Sequence, residues 1–125
     1  MHTFYVSSFG KNTNKGIYIV HFDETSDELS IIQHIVTKDY PSYMVIKDNN
    51  LYITYKNANR SSDGGGLGSF AIYKDELIIN NNFASNGRSY THLCISDNSR
   101  YLFAANYQVG STASYLLENG HIKEK

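Results

Sequence analysis

The chain has 125 residues, with 41% hydrophobic, 14% aromatic and 18% charged side chains and a formal net charge of −1. That length holds one domain at most, and a near-neutral balance without clustered Lys or Arg excludes an electrostatic nucleic-acid binder. No apolar run nears the roughly 18–20 residues of a membrane span, and the single cysteine excludes an internal disulfide and a multi-cysteine zinc site.

The N-terminal stretch Met1-His2-Thr3-Phe4-Tyr5-Val6 has no basic segment leading a long apolar run, so it reads as no signal peptide. The expected location is cytoplasmic. No window keeps apolar residues at i, i+3, i+4 and i+7 beyond about two turns. Short β-branched and aromatic runs bounded by Asn, Asp, Gly and Ser predict strands instead. In chain order they fall at 3–9, 16–22, 29–36, 42–46, 51–55, 69–73, 76–80, 92–95, 101–106, 111–117 and 121–123. The second, Gly16-Ile17-Tyr18-Ile19-Val20-His21-Phe22, is largely apolar on both faces, which suits a sheet packed on both sides. The expected class is all-β.

The runs repeat. Asp27-Glu28-Leu29-Ser30-Ile31-Ile32 recurs as Asp75-Glu76-Leu77-Ile78-Ile79, and Ser42-Tyr43-Met44-Val45-Ile46 as Thr91-His92-Leu93-Cys94-Ile95. Leu51-Tyr52-Ile53-Thr54 recurs as Leu102-Phe103-Ala104-Ala105. Four short strands in a period of about 50 residues are the signature of a β-propeller blade. With strands lettered a to d from the axis outward, 1–36 supplies b, c and d of an incomplete first blade. Residues 42–83 make a complete blade, and 92–125 a blade ending in its outer strand. Fewer than three blades are present, whereas closure takes at least about four. The chain therefore reads as a partial propeller, truncated or a fragment.

The segment Ser89-Tyr90-Thr91-His92-Leu93-Cys94-Ile95-Ser96-Asp97-Asn98-Ser99-Arg100-Tyr101-Leu102-Phe103-Ala104-Ala105-Asn106-Tyr107, followed by Gly110-Ser111, resembles the lactonase family of seven-bladed propellers. That family includes one type of bacterial 6-phosphogluconolactonase and the fungal carboxymuconate lactonizing enzyme. Gly16-Ile17-Tyr18 before Phe22-Asp23, Pro41-Ser42-Tyr43, and Gly64-Gly65-Gly66 ahead of Ser69-Phe70 extend the likeness over nearly the whole chain. It implies an incomplete seven-bladed propeller, matching about the first third of the family's length. The turn Lys47-Asp48-Asn49-Asn50 departs from it by being one residue shorter than Ser96-Asp97-Asn98-Ser99-Arg100, and the polar, Gly-rich loop 56–67 departs as surface loops do.

Blade geometry brings residues that begin strand a or end strand b to one rim of the central channel. Ser42, Tyr43, Arg60, Arg88, His92, Asn106 and Tyr107 belong there, and a channel mouth with convergent polar groups is the default site. His92 is the catalytic candidate, since a histidine near its ordinary pKa can take a proton from water. The resemblance places the matching histidine in the family's proposed site. The plainer alternative is a hydrogen bond from His92 to a neighbouring blade. Arg60 and Arg88 are candidate anchors for a substrate phosphate or carboxylate, or else solvated loop residues. Asn106, Tyr107 and Tyr43 are candidate substrate-binding groups; Asn106 and Tyr107 equally suit a structural strand-end pair.

Other features read as structural. His2, His21, His34 and His121 lack metal-ligand spacing. Gly64-Gly65-Gly66-Leu67-Gly68 lacks the ending of a phosphate loop and reads as a hairpin connection. Asn59-Arg60-Ser61 is a chance sequon, Asp23-Glu24 and Asp27-Glu28 lie on the far face, and Cys94 is expected to be a buried, inert thiol. The function implied by the resemblance is hydrolysis of a sugar lactone, 6-phosphogluconolactone to 6-phosphogluconate in the pentose phosphate pathway, with no cofactor and no metal. The partner is then a small sugar lactone, with no nucleic acid and no membrane, and the open sheet edges allow self-association. A muconate-type cycloisomerase is the sister chemistry. A non-catalytic interaction scaffold and an inactive fragment remain the alternatives.

Overall fold

The computed structural model describes residues 1–10, 14–56, 65–84, 89–106 and 110–124. They form eleven strands and no α-helix. The strands are β1 (His2–Phe9), β2 (Lys15–Asp23), β3 (Glu28–Val36), β4 (Tyr40–Lys47), β5 (Asn50–Lys56), β6 (Gly66–Tyr73), β7 (Glu76–Ala84), β8 (His92–Ile95), β9 (Tyr101–Asn106), β10 (Ser111–Glu118) and β11 (His121–Lys123). They lie in three antiparallel sheets, β1-β2-β3, β4-β5-β6-β7 and β8-β9-β10-β11, each a meander in chain order. The sheets pack face to face, inner strands together (β1 on β4, β4 on β8) and outer strands together (β7 on β11). This is a partial propeller, all-β as expected.

Three boundaries differ from the sequence reading by two residues or more, one of them the start of β6 at Gly66 rather than 69. β4 starts at Tyr40 rather than 42, because Pro41 stands at the opening of an edge strand, where a missing N–H costs little. β7 runs to Ala84 rather than 80, through Asn80-Asn81-Asn82. Asparagine is a poor strand former, but here Asn81 bonds the backbone of the next sheet: its Nδ2 donates to the Ile122 carbonyl at 2.8 Å, and its Oδ1 accepts the Ile122 N–H at 3.0 Å.

The core is two layers, one on each side of the middle sheet. Leu51, Ile53, Tyr55, Phe70 and Leu77 close on Ile17 and Ile19 of the first sheet. Tyr52 and Leu67 close on Leu93, Leu102, Tyr115, Leu117 and Ile122 of the third. Successive β5 side chains alternate between these layers, which is why the strand is buried from Leu51 to Tyr55 without a break. Each aliphatic side chain so buried is worth about 1.5–3 kcal/mol. The other faces of the outer sheets are open. Phe4, Val20 and Ile31 are cross-strand neighbours on the first sheet, with Phe4 49% and Ile31 67% exposed; Phe103 is 44% exposed on the third. Cys94 shares that open face, so the expectation of a buried thiol is corrected: it is exposed. Leu93 and Ile95 take the inward positions of this short strand, and alternation turns Cys94 outward.

The far ends of the sheets are clasped turn to turn. Asp48-Asn49 and Asn119-Gly120 have positive φ at both central residues, the type I′ geometry suited to hairpins. Lys47 Nζ donates to the Ser96 and Asp97 carbonyls at 3.0 and 2.7 Å, and the Ser99 hydroxyl bonds Asp48. The buried Ser69 hydroxyl donates to the Gly120 carbonyl.

Candidate functional site

The opposite ends of the strands make the rim. β1 ends there at Phe9 and β2 begins at Lys15; β4 begins at Tyr40 and β5 ends at Lys56; β8 begins at His92 and β9 ends at Asn106. The three sheets bring these ends together because each is an antiparallel meander in the same sense.

A bulge shapes the centre of the rim. Pro41 pairs with Tyr55 and Met44 with Ile53, so Ser42 and Tyr43 together oppose the single residue Thr54. The extra residue leaves the Tyr43 N–H out of the ladder, and the fully buried Thr54 hydroxyl accepts it at 3.0 Å. Bulges re-aim side chains in this way. The Tyr43 ring meets the His92 imidazole of the next sheet, centroids 4.6 Å apart and planes inclined at 35°. Ser42, the other bulge residue, receives the Ser7 hydroxyl on its carbonyl at 2.9 Å, tying the first sheet to the same spot.

His92 is exposed, and among the described residues nothing hydrogen-bonds its ring nitrogens. Its backbone is fixed from both sides: Thr91 N–H donates to the Ala105 carbonyl at 2.8 Å, and His92 pairs with Ala105. The imidazole borders an open groove of about 510 Å³ shared with Cys94, Phe103, Thr112 and Ser114. The imidazole thus has one contact on the Tyr43 ring and borders open space at the rim.

The other expected site residues divide. Asn106 is buried, and its amide donates to the Ser89 carbonyl, pinning the approach to β8 against the end of β9. Arg60, Arg88 and Tyr107 lie outside the described residues, as does the sequon at 59–61. Among the described residues no cluster of three His, Cys, Asp or Glu side chains is placed to hold a metal, and no helix is long and apolar enough to cross a membrane.

A second grouping on this rim was not anticipated from the sequence. Phe9 and Tyr40 stack across the first two sheets, centroids 5.3 Å apart and planes 24° apart. Lys15 Nζ lies 5.5 Å from the Tyr40 centroid, and Lys56 Nζ 5.7 Å from that of Phe9. The signal for it was cross-strand pairing at the strand ends, Phe9 with Lys15 and Tyr40 with Lys56. Outward from it lies a cavity of about 460 Å³, lined among others by Thr37, Asp39, Tyr55, Leu67, Phe70 and Asn82. Asp39 accepts the Gly65 N–H at 2.8 Å there. Burial, then the Asp39 carboxylate, hold the Tyr55 hydroxyl well above the ordinary tyrosine range, so it stays protonated.

Comparison with known proteins agrees with this architecture. Over 97% of the chain the fold superposes on a crystal structure of a Lactobacillus plantarum protein with a TM-score of 0.79 at 19% identity, covering 35% of that chain. A Bacteroides fragilis crystal structure, described as a "putative 6-phosphogluconolactonase", matches 94% of this chain and 32% of its own with a TM-score of 0.74 at 22% identity. An uncharacterized protein of Staphylococcus aureus (strain USA300) is 28% identical over 122 residues, 96% of this chain and 34% of the relative. An uncharacterized Lactococcus lactis protein, YwcC, is 22% identical over 119 residues, 94% of this chain and 34% of the relative. The chain thus spans about a third of the length of these relatives. The profile of the family described as "Lactonase, 7-bladed beta-propeller" matches residues 3–125, so the chain belongs to the lactonase family of seven-bladed β-propellers.

Proposed function

We propose that the chain acts in the hydrolysis of a sugar lactone, with 6-phosphogluconolactone as substrate and 6-phosphogluconate as product, in the cytoplasmic pentose phosphate pathway. The observation that carries this reading is His92: an exposed imidazole at the rim end of an inner strand, seated against Tyr43, in a lactonase-family chain. His92 takes a proton from water as the water oxygen adds to the lactone carbonyl. The tetrahedral adduct collapses with cleavage of the ring C–O bond, and the departing alkoxide recovers the proton from the imidazolium. Arg60 and Arg88 serve as anchors for substrate charge, Tyr43 and Tyr107 frame the sugar, and Asn106 holds the strand ends of the rim together.

The test is the rate of acid release from 6-phosphogluconolactone, above the spontaneous rate, for the chain and for His92→Gln. Removal of a general base is expected to lower kcat/KM by about 10²- to 10⁴-fold. Equal rates for the two proteins, or no rate above background for either, would overturn the assignment.

A further inference from the structure

We propose that Lys15 and Lys56, mounted on the Phe9–Tyr40 stack, form a subsite for the anionic group of the ligand, a phosphate or carboxylate. The identity of that ligand as an acidic sugar rests on the reading just given. The geometry rests on four residues from two sheets, which exchange partners. Phe9 pairs with Lys15 and Tyr40 with Lys56 along the backbone, yet each ammonium crosses to the ring of the other sheet. Both ammoniums thereby lie against the one stacked pair at the interface of the first two sheets.

Neither ammonium is held in an ion pair among the described residues, where the pairs are His2 with Glu24, His21 with Asp75 and Lys123 with Glu118. Lys15 Nζ spends one donor on the Lys38 carbonyl, at 2.5 Å, which aims the ammonium and leaves two donors. Asp39, the carboxylate beside this crossover, accepts the Gly65 N–H. Ammoniums held outside any ion pair keep their charge for an incoming anion, and lysine ammoniums are point-charge binders of phosphate.

The lysines and His92 flank the opening of β4 at the rim, Tyr40 meeting the first sheet and Tyr43 the third. Tyr40 and Tyr43 lie on one strand, three positions apart, a span of roughly 10 Å for an extended chain. One end of that span carries the lysines and the other carries His92. Aromatic faces with a few placed polar groups are the usual lining of small-molecule sites.

The test is binding of 6-phosphogluconate, gluconate and inorganic phosphate to the whole chain by calorimetric titration. Wild type is compared with Lys15→Gln/Lys56→Gln and with Lys15→Arg/Lys56→Arg, with strand content checked by circular dichroism. The glutamine pair is expected to weaken 6-phosphogluconate by about tenfold or more, with the arginine pair retaining most of the affinity. Lys56→Gln alone, which removes no hydrogen bond among the described residues, is expected to weaken it about threefold and serves if the double variant fails to fold. Loss shared by gluconate assigns the carboxylate; loss confined to 6-phosphogluconate and phosphate assigns the phosphate. No binding by wild type, unchanged affinity in the glutamine variants, or equal loss in the arginine pair would overturn the subsite. Lysine-dependent binding without turnover would keep the subsite and remove the lactonase reading. Turnover with lysine-independent binding would do the reverse.

Discussion

Thr54 has no exposed surface, and its hydroxyl supplies the acceptor that the bulge in β4 requires. Replacing it with valine keeps the branched shape and deletes the acceptor. A buried N–H left unmet costs about 1–3 kcal/mol, so Thr54→Val is expected to lower unfolding stability by that amount in urea titration. The bulge should relax at the same time and draw Tyr43 from His92, releasing the ring-current shifts of the imidazole protons in NMR spectra. Unchanged stability with unchanged shifts would show that the bulge holds itself. The start of β8 at His92 and the end of β9 at Asn106 were legible in the sequence because turn residues bound those strands. The lysine–aromatic grouping was not, because partner exchange between sheets depends on how two blades are stacked, and spacing along one chain does not encode it.

At the scale of elements, the device that recurs is an amide reaching from an outer strand to the edge of the next sheet. Ile32 is bulged in β3 and Asn80 in β7, and the residue following each bulge, Gln33 or Asn81, makes the contact. Gln33 Oε1 accepts the Leu77 N–H at 3.0 Å, and Asn81 takes both backbone groups of Ile122. Each target is the second residue of its outer strand. Asn81→Ala is expected to cost about 1–3 kcal/mol and Gln33→Ala about half as much, in proportion to bonds lost. Chemical denaturation of the two variants checks the order, and a larger loss at Gln33 would contradict it. Strand identity was readable from β-branched and aromatic runs, and the repeat was readable because Asp27-Glu28-Leu29 returns as Asp75-Glu76-Leu77. The length of β7 was not, since local propensity treats Asn80-Asn81-Asn82 as a turn while a contact made in the next sheet keeps it a strand. Cys94 failed for the related reason that its exposure depends on which face of the third sheet is covered.

Over the whole molecule, three tyrosines link stability to alkaline pH. Burial raises the hydroxyls of Tyr5, Tyr52 and Tyr55, assisted by Asp75, Asp48 and Asp39 respectively. The folded chain keeps protons that the unfolded chain releases at the ordinary tyrosine value of 10.0. Their contribution to stability is therefore full below that value and lost as pH rises through it toward the folded values. Tyr55, the most deeply affected, dominates. Urea midpoints are expected to fall between about pH 9 and about pH 11, and Tyr55→Phe should make the fall shallower. An unchanged slope in that variant would mean that the hydroxyl is hydrated in the folded state.

The amide contacts also bear on whether blades are interchangeable parts. Asn81 mates with Ile122 as a one-residue strand would, occupying an edge that would otherwise accept any passing chain. The fit needs a bulge in the preceding outer strand and an open pair of backbone groups at matching height in the following one. Each junction thus carries a lock and a key, a glutamine at the first and an asparagine at the second, with one bond and two bonds respectively. Shuffling blades would mismatch these pairs even where the apolar layers still met. Polar side chains at the outer margins thus match each sheet to its neighbour, while the apolar interior supplies the adhesion.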